Sequence, residues 1–409
     1  MTYQETLDYL FTRLPMYQRE GKSAYKKDLT NTINLLEALG NPHQKFNSVH
    51  IAGTNGKGTC AHGIAAILQL SGYKTGLYTS PHLRSFTERI KINGDEIGEA
   101  QVISFVEKIK PTIEEINPSF FEITVAMAFD HFAKKNVDIA VIETGLGGRL
   151  DSTNVIRPEA CLITNIGYDH MDMLGGTLEK IAVEKAGIIK KGVPVVIGEY
   201  QKETFPVFAE KAKTENTRLF LNQNFGYEEF PLDYPYHKVL NRRSVRSLAH
   251  VLKETGWKIN DQDINLGFEN LEKLTKLKGR FQTLEETPRI IVDVSHNTEG
   301  LKVLFDQVVS KVKDRKSKLH LVYGAVNDKD LKPIFQLFPK EASIFWTQSS
   351  VPRALPVEEL AIQGVANGIQ GECFKNVNEA IQQAKTKAQP NDIILITGST
   401  FVVAEVNGL

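Results

Sequence analysis

Val49-His50-Ile51-Ala52-Gly53-Thr54-Asn55-Gly56-Lys57-Gly58-Thr59 is a short apolar run that breaks into a glycine-rich loop carrying a lysine and a hydroxyl. The segment after it, Ala61 to Leu70, sets Ile64, Ala65, Ile67 and Leu68 at helical spacing. The order predicted here is strand, glycine loop, helix. The first N–H groups of a helix lack partners inside it, and the helix dipole adds partial positive charge at the same end, so a phosphate there answers both. Gly53, Gly56 and Gly58 let the backbone approach an anion. Lys57 supplies a point charge toward the terminal phosphates, and Thr59 can offer its hydroxyl to a bound magnesium. We read the stretch as a nucleotide triphosphate cradle. Its spacing departs from the common phosphate loop, with Gly53 and Gly56 close together and Gly58 between the lysine and the threonine. Gly21-Lys22-Ser23 spells a similar tripeptide, but Arg19-Glu20 precedes it where a buried strand is required, so a polar loop is expected there.

Outward from the cradle, Lys74 to Tyr78 reads as a strand running into Thr79-Ser80-Pro81-His82-Leu83, and helical patterns follow over 99–116 and 120–134. Asp138-Ile139-Ala140-Val141-Ile142-Glu143 is an apolar run ending in a carboxylate. Buried parallel strands look like this, and ligands of such sheets lie beyond the carboxyl ends of the strands. Glu143 is therefore either a magnesium ligand or water-orienting group, or an exposed acid at a strand tip. Gly145, Gly147 and Gly148 directly after it favour the first. The strand over 160–164 leads into Asn165-Ile166-Gly167-Tyr168-Asp169-His170, where His170 is a candidate metal ligand. Lys185 lies among Ile181, Ala182, Ala186 and Ile188 on a helix expected over 178–191, so it either snorkels or is chemically altered.

Thr2 and Glu5 form a capping box for a first helix, and Asp28 can cap a second over 29–39. The long basic connection from Pro15 to Lys27 is either a lid or a solvated linker. A strand over 193–197 and a helix from about Lys202 continue the alternation, residues 222–237 receive no assignment, and helices are expected over 241–254 and after Asn260. Beyond Leu277-Lys278-Gly279-Arg280-Phe281 the pattern restarts, with strands over 290–293, 319–323, 343–346 and 393–397 separated by helices. The expected organisation is α/β throughout: a P-loop-containing N-terminal domain with a parallel sheet over 1–278, a hinge over 279–284, and a smaller second α/β domain over 285–409.

The composition narrows the class. At 409 residues the chain is too long for one ordinary core. Lysine plus arginine equals aspartate plus glutamate at 49 each, so no global field points to nucleic acid or an anionic membrane, and a small-molecule enzyme, expected as a monomer, fits better. Cys60, Cys161 and Cys373 show no paired spacing, which suits a reducing compartment. The polar stretch Met1 to Glu5 is unlike a signal peptide and no run approaches a membrane span, so a cytoplasmic location is expected.

Several motifs in order, from Gly53 to Thr59, Tyr78 to Leu83, Phe86-Thr87-Glu88-Arg89-Ile90 and Glu143-Thr144-Gly145-Leu146-Gly147-Gly148-Arg149-Leu150-Asp151-Ser152-Thr153-Asn154, resemble the folylpolyglutamate synthase and dihydrofolate synthase family, which is related to the murein peptide ligases. Asp169-His170, Glu184-Lys185-Ala186-Gly187, Gly279-Arg280-Phe281, Pro352-Arg353-Ala354 and Ile396-Thr397-Gly398-Ser399 extend the resemblance through nearly the whole chain. It implies an N-terminal ATPase domain, a smaller Rossmann-like C-terminal domain, and an ATP-dependent amide ligase in which a carboxylate is phosphorylated and the amine of L-glutamate attacks the acyl phosphate, with dihydropteroate or a reduced folate as acceptor. It implies that Thr54, Asn55, Gly56, Lys57, Gly58 and Thr59 hold the nucleotide with Asn241, Arg280 and Asp293. Magnesium, two ions in all, falls to Thr59, Ser80, Glu143 and His170. Lys185 is then a carbamylated lysine acting with Lys57, His170 and His296, and Phe120, Phe121, Leu150, Asp151 and Ser152 line the pterin. Around Asn241 the sequence departs from the family, with Pro235, Lys238 and Arg243 where glycine, glutamine and alanine are usual, and Val294, Ser295 and Thr298 replace glycine, alanine and proline. Other readings are a murein-type ligase acting on another acid and a non-catalytic ATP-binding regulator.

Overall fold

The computed structural model describes residues 1–15, 28–224 and 236–409. The lid-or-linker segment, the Gly21-Lys22-Ser23 loop and most of the unassigned 222–237 stretch lie outside them. The chain divides into two compact units, the first reaching Leu277 and the second running from Lys278 to Leu409. Residues 282–284 of the segment expected as a hinge belong to a strand of the second unit's sheet.

The first unit is built on eight strands: β1 (Asn47–Ala52), β2 (Thr75–Tyr78), β3 (Ile90–Ile92), β4 (Asp95–Glu96), β5 (Ile139–Glu143), β6 (Ala160–Ile163), β7 (Val195–Ile197) and β8 (Leu219–Leu221). Their order is β4-β3-β2-β5-β1-β6-β7-β8. β1 lies between β5 and β6, parallel to both. The sheet is not wholly parallel as expected: β3 runs antiparallel to β2, and β4 to β3. β3 and β4 are joined by a two-residue turn at Asn93-Gly94, both with positive φ (49° and 80°), the requirement of a type I′ hairpin whose twist matches the strands.

Alternation along the central strands explains the layers. On β5, Ile139 and Val141 join one buried cluster with Ile64, Ile67 and Leu68 of the helix Lys57–Leu70, while Ala140 and Ile142 join another with Phe129 and Phe132 of the helix Phe120–Lys134. A strand buried on both faces must be apolar at every position, which is why 139–142 read as a continuous run. Phe132 packs so closely that a Cβ at Gly76 would stand 2.9 Å from its ring. The helix Phe120–Lys134 starts at a capping box in which the Ser119 Oγ accepts from the Glu122 N–H and the Glu122 carboxylate accepts from the Ser119 N–H. The expected box of Thr2 and Glu5 caps the helix Tyr3–Arg13, and Asp28 accepts from the Thr30 N–H at the start of the helix Thr30–Ala38. The helix expected over 178–191 ends earlier, at Ala186, and Gly187 after it is pressed onto Arg149: a Cβ there would lie 2.3 Å from the Arg149 Cα.

The second unit carries β9 (Gln282–Glu286), β10 (Arg289–Val292), β11 (Leu319–Tyr323), β12 (Ser343–Thr347), β13 (Gly371–Phe374) and β14 (Ile393–Thr397), in the order β13-β12-β11-β14-β10-β9. All pairs are parallel except β9 with β10, a hairpin that the sequence reading lacked. Trp346, Tyr323, Phe335 and Phe338 pack edge-on and stacked on one face. No helix among the described residues is long and apolar enough to cross a membrane.

Candidate active site

Register decides which loops meet. Ile51 pairs with Glu143, Ala52 with Ile163 and Tyr78 with Ile142, so the segments leaving β1, β2, β5 and β6 emerge at one edge of the sheet. The cradle leaves β1 and is tied down there. Thr54 N–H donates to the Asn165 carbonyl and Asn55 N–H to the Asn165 side-chain oxygen, each at 2.9 Å, and Thr164 Oγ1 donates to the Asn55 carbonyl at 2.6 Å. A Cβ at Gly53 would fall 1.8 Å from Thr164 Oγ1, so only glycine allows this approach. Gly56, at φ 83°, is the N-cap of the helix Lys57–Leu70, and no side chain caps that end. The first N–H groups of a well-buried helix are thus left to a ligand, the arrangement that suits a phosphate. Asn241, buried on the helix Tyr236–Glu254, packs against the turn, 2.4 Å from where a Gly56 Cβ would be.

Two lysines converge behind the loop. Lys57 Nζ donates to the Gly53 carbonyl at 3.0 Å and to the Thr54 carbonyl at 3.1 Å, and Lys185 Nζ donates to the same Gly53 carbonyl at 2.7 Å. Lys185 is buried, and burial, followed by the nearby Lys57 ammonium, pushes its amine down to about 7. The amine itself is enclosed, so Lys185 does not snorkel to solvent.

Glu143, 3% exposed, ends β5, and one of its oxygens accepts from the Ser80 N–H at 3.2 Å. Thr144 Oγ1, next along the chain, is buried without a hydrogen-bond partner among the described residues, which is unmet capacity beside the carboxylate. Thr59 lies in the first turn of the cradle helix. No group of three His, Cys, Asp or Glu side chains is gathered as a metal cage among the described residues. One carboxylate with hydroxyls and phosphate oxygens is nevertheless how magnesium is usually bound, so these donors fit that ion better than zinc. His170, half-exposed at φ 50°, begins the short helix Met171–Leu174 beside Asp169.

The glycine-rich loop after Glu143 is organised by Asp151. This buried carboxylate accepts from the Leu146 N–H at 2.8 Å, the Thr153 N–H at 3.0 Å and the Thr153 hydroxyl at 2.5 Å, and burial pushes its acid up from the ordinary carboxylate range. His50 of β1, whose burial lowers its pKa to about 3, meets Thr153 Oγ1 at 2.8 Å. Phe121 covers the loop: a Cβ at Gly145 would lie 2.4 Å from its ring. Phe120 is buried in the core behind it and Leu150 is half-buried, while Ser152 is buried.

In the second unit, β10 and β14 are adjacent, so their carboxyl ends lie together. Asp293 accepts from the Phe281 and Ser295 N–H groups at 2.7 and 2.8 Å, which pins the turn carrying the exposed Arg280. His296 Nδ1 donates to the Val294 carbonyl at 2.9 Å.

Residues 51–249 match the model of the Mur ligase middle domain and residues 279–400 that of the Mur ligase glutamate ligase domain. The dihydrofolate synthase/folylpolyglutamate synthase of Bacillus subtilis is 31% identical over 99% of this chain and 98% of its own. The family is settled by that match. The chain belongs to the dihydrofolate synthase/folylpolyglutamate synthase family of Mur ligases. Escherichia coli FolC in complex with DHPP and ADP superposes with a TM-score of 0.84, at 27% identity over 99% of this chain and 96% of that one. The bifunctional enzyme of Yersinia pestis complexed with AMPPNP and Mn gives 0.82, at 28% identity over 99% and 97%.

Within this family fold, sequence reasoning passed over the residues that act through others. Asn165 and Thr164 hold the cradle, and their signal was only that a strand ends in polar groups. Thr153 and His50 stand behind Asp151. Asp151→Ala strips the shared acceptor from three donors and should lower stability by about 2–4 kcal/mol, seen as an earlier urea midpoint.

Proposed function

We propose that this chain is an ATP-dependent amide ligase that joins L-glutamate to dihydropteroate, to a reduced folate, or to both. The observation that carries the reading is the Gly53 carbonyl shared by Lys57 and Lys185 at an uncapped helix N-terminus, one sheet position from Glu143. Membership of a family whose structures contain ADP, an ATP analogue and Mn supports it, as does the match to a glutamate ligase domain.

The reaction needs charge neutralisation rather than a protein nucleophile. An acceptor carboxylate oxygen attacks the γ-phosphorus of ATP, the bond to the β-phosphate oxygen breaks, and ADP leaves. The glutamate amine then attacks the acyl carbon, phosphate departs, and the amine gives up a proton. The cradle from Thr54 to Thr59 would hold the phosphates with Lys57 at the transferred group, and Asn241 would border the nucleotide. Arg280, Asp293 and His296 of the second unit would serve ATP and the incoming glutamate. Phe120, Phe121, Leu150, Asp151 and Ser152 would receive the pterin. Thr59, Ser80, Glu143 and His170 would hold two magnesium ions, which neutralise phosphate charge when bound. Lys185 would carry a carbamate: its amine, held near 7, is partly neutral at physiological pH and can add carbon dioxide, which turns two adjacent cations into an ion pair. We further assign a monomeric enzyme of the cytoplasm.

The deciding experiment measures phosphate release by the purified protein. Release is expected with ATP, glutamate and dihydropteroate or a reduced folate together, and not when any one is left out. Absence of turnover with every such acceptor would sink the reading.

A further inference from the structure

His82 and Arg89 of the first unit have no part in the reaction as assigned above, although Phe120 beside Arg89 does. Arg89, 3% exposed, donates from Nε to His82 Nδ1 at 2.7 Å and lies 5.2 Å over the Phe120 ring. A guanidinium can only donate, so His82 Nδ1 is the acceptor and the proton of the neutral ring sits on Nε2. The tautomer is thereby fixed by a buried partner. The ring is held in place as well, 6.2 Å from Phe11 and 6.3 Å from Phe86, both of which also flank Phe120.

Nε2 is therefore left as a donor. His82 is half-buried, and among the described residues no group takes its Nε2–H. It stands in the same short loop as Ser80, whose N–H meets Glu143. Its ring neighbours Phe11 and Phe86 are also those of Phe120, the first residue of the helix that presents Phe121 to Gly145. A preset donor edged by aromatic rings, close in sequence to the carboxylate end of the site, matches an aromatic acid that carries its own hydrogen-bond acceptor.

We propose that His82 is a specificity-determining contact for the acceptor substrate, its Nε2–H donating to an accepting atom on the aromatic part of that molecule, with Arg89 as the positioning residue that sets the tautomer. This rests on the acceptor reading given under Proposed function. Two amides separate the contact from a structural role, because asparagine places an oxygen where Nδ1 was and glutamine places an N–H where Nε2 was.

Steady-state kinetics with dihydropteroate should show His82→Asn raising the acceptor KM roughly five- to twenty-fold, the loss of one specific hydrogen bond, with the KM for ATP and glutamate unchanged. His82→Gln should stay within about threefold of wild type. The opposite order, asparagine rescuing and glutamine failing, would make His82 a mere prop for Arg89 and overturn the proposal. Equal losses for all three substrates would do the same. Should His82→Asn not fold, His82→Gln decides alone: an acceptor KM near wild type supports the contact and a tenfold rise, on the order of one lost hydrogen bond, overturns it. A wild-type protein that turns over no folate-type acceptor brings down the functional reading itself, whereas active wild type with an unaffected His82→Asn brings down this inference alone.

Discussion

Lys57→Ala is expected to lower kcat for phosphate release by about 10²–10³, the loss typical of removing one preorganised charge from a transition state. The fold should survive, because the cradle is held by others. Asn165 and Thr164 fasten Thr54 and Asn55, and the Gly53 carbonyl keeps its bond from Lys185. Among the described residues Lys57 reaches only two backbone carbonyls of its own loop, which makes it dispensable for structure and available to an incoming phosphate. Lys57→Arg should not restore the rate, since a planar fork does not replace a compact ammonium in a loop of this size. The check is single-turnover phosphate release at saturating substrates, alongside the urea midpoint. An alanine variant within threefold of wild type, well short of the roughly hundredfold loss expected, would remove Lys57 from the chemistry.

How far this could be read from the chain depended on whether the signal was local. The cradle was legible because strand, turn and helix are consecutive and each announces itself over a few residues. The same holds for the capping box at Thr2 and for the apolar run into Glu143. The antiparallel additions were not read. β9 is a polar edge strand without a buried face, so it offers no apolar run, although Asn93-Gly94 did mark the β3–β4 turn. The convergence of Lys185 on Gly53 links residues 132 positions apart and is a product of sheet order, which no local pattern encodes. Phe120 and Phe121 show the limit at single-residue scale. Two adjacent aromatics open one apolar helix, yet one is core and the other rests on Gly145.

Lys185 gives the second large effect, and its sign can be worked out. A lysine held near 7 in the fold and near 10.5 when unfolded favours its neutral form in the native state. The unfolded chain therefore binds more protons between those values, and the unmodified amine costs stability. The penalty is absent above the ordinary lysine range, grows as pH falls, and is complete below about 7. In carbon-dioxide-depleted buffer, Lys185→Met should thus raise the melting temperature over wild type at about pH 6, with an advantage that shrinks by roughly half toward pH 9. Activity should move the other way. The substitution removes the group that takes up carbon dioxide and leaves Lys57 without a facing anion, so kcat should fall by about 10²–10³. Wild-type activity in depleted buffer should drop and return on adding bicarbonate, most readily above neutral pH where the amine is unprotonated, while Lys185→Met stays unresponsive. Carbon-13 bicarbonate should give a carbamate signal in wild type alone. A wild type indifferent to carbon dioxide, with Lys185→Met still inactive, would leave the buried amine itself, rather than its carbamate, as the working group.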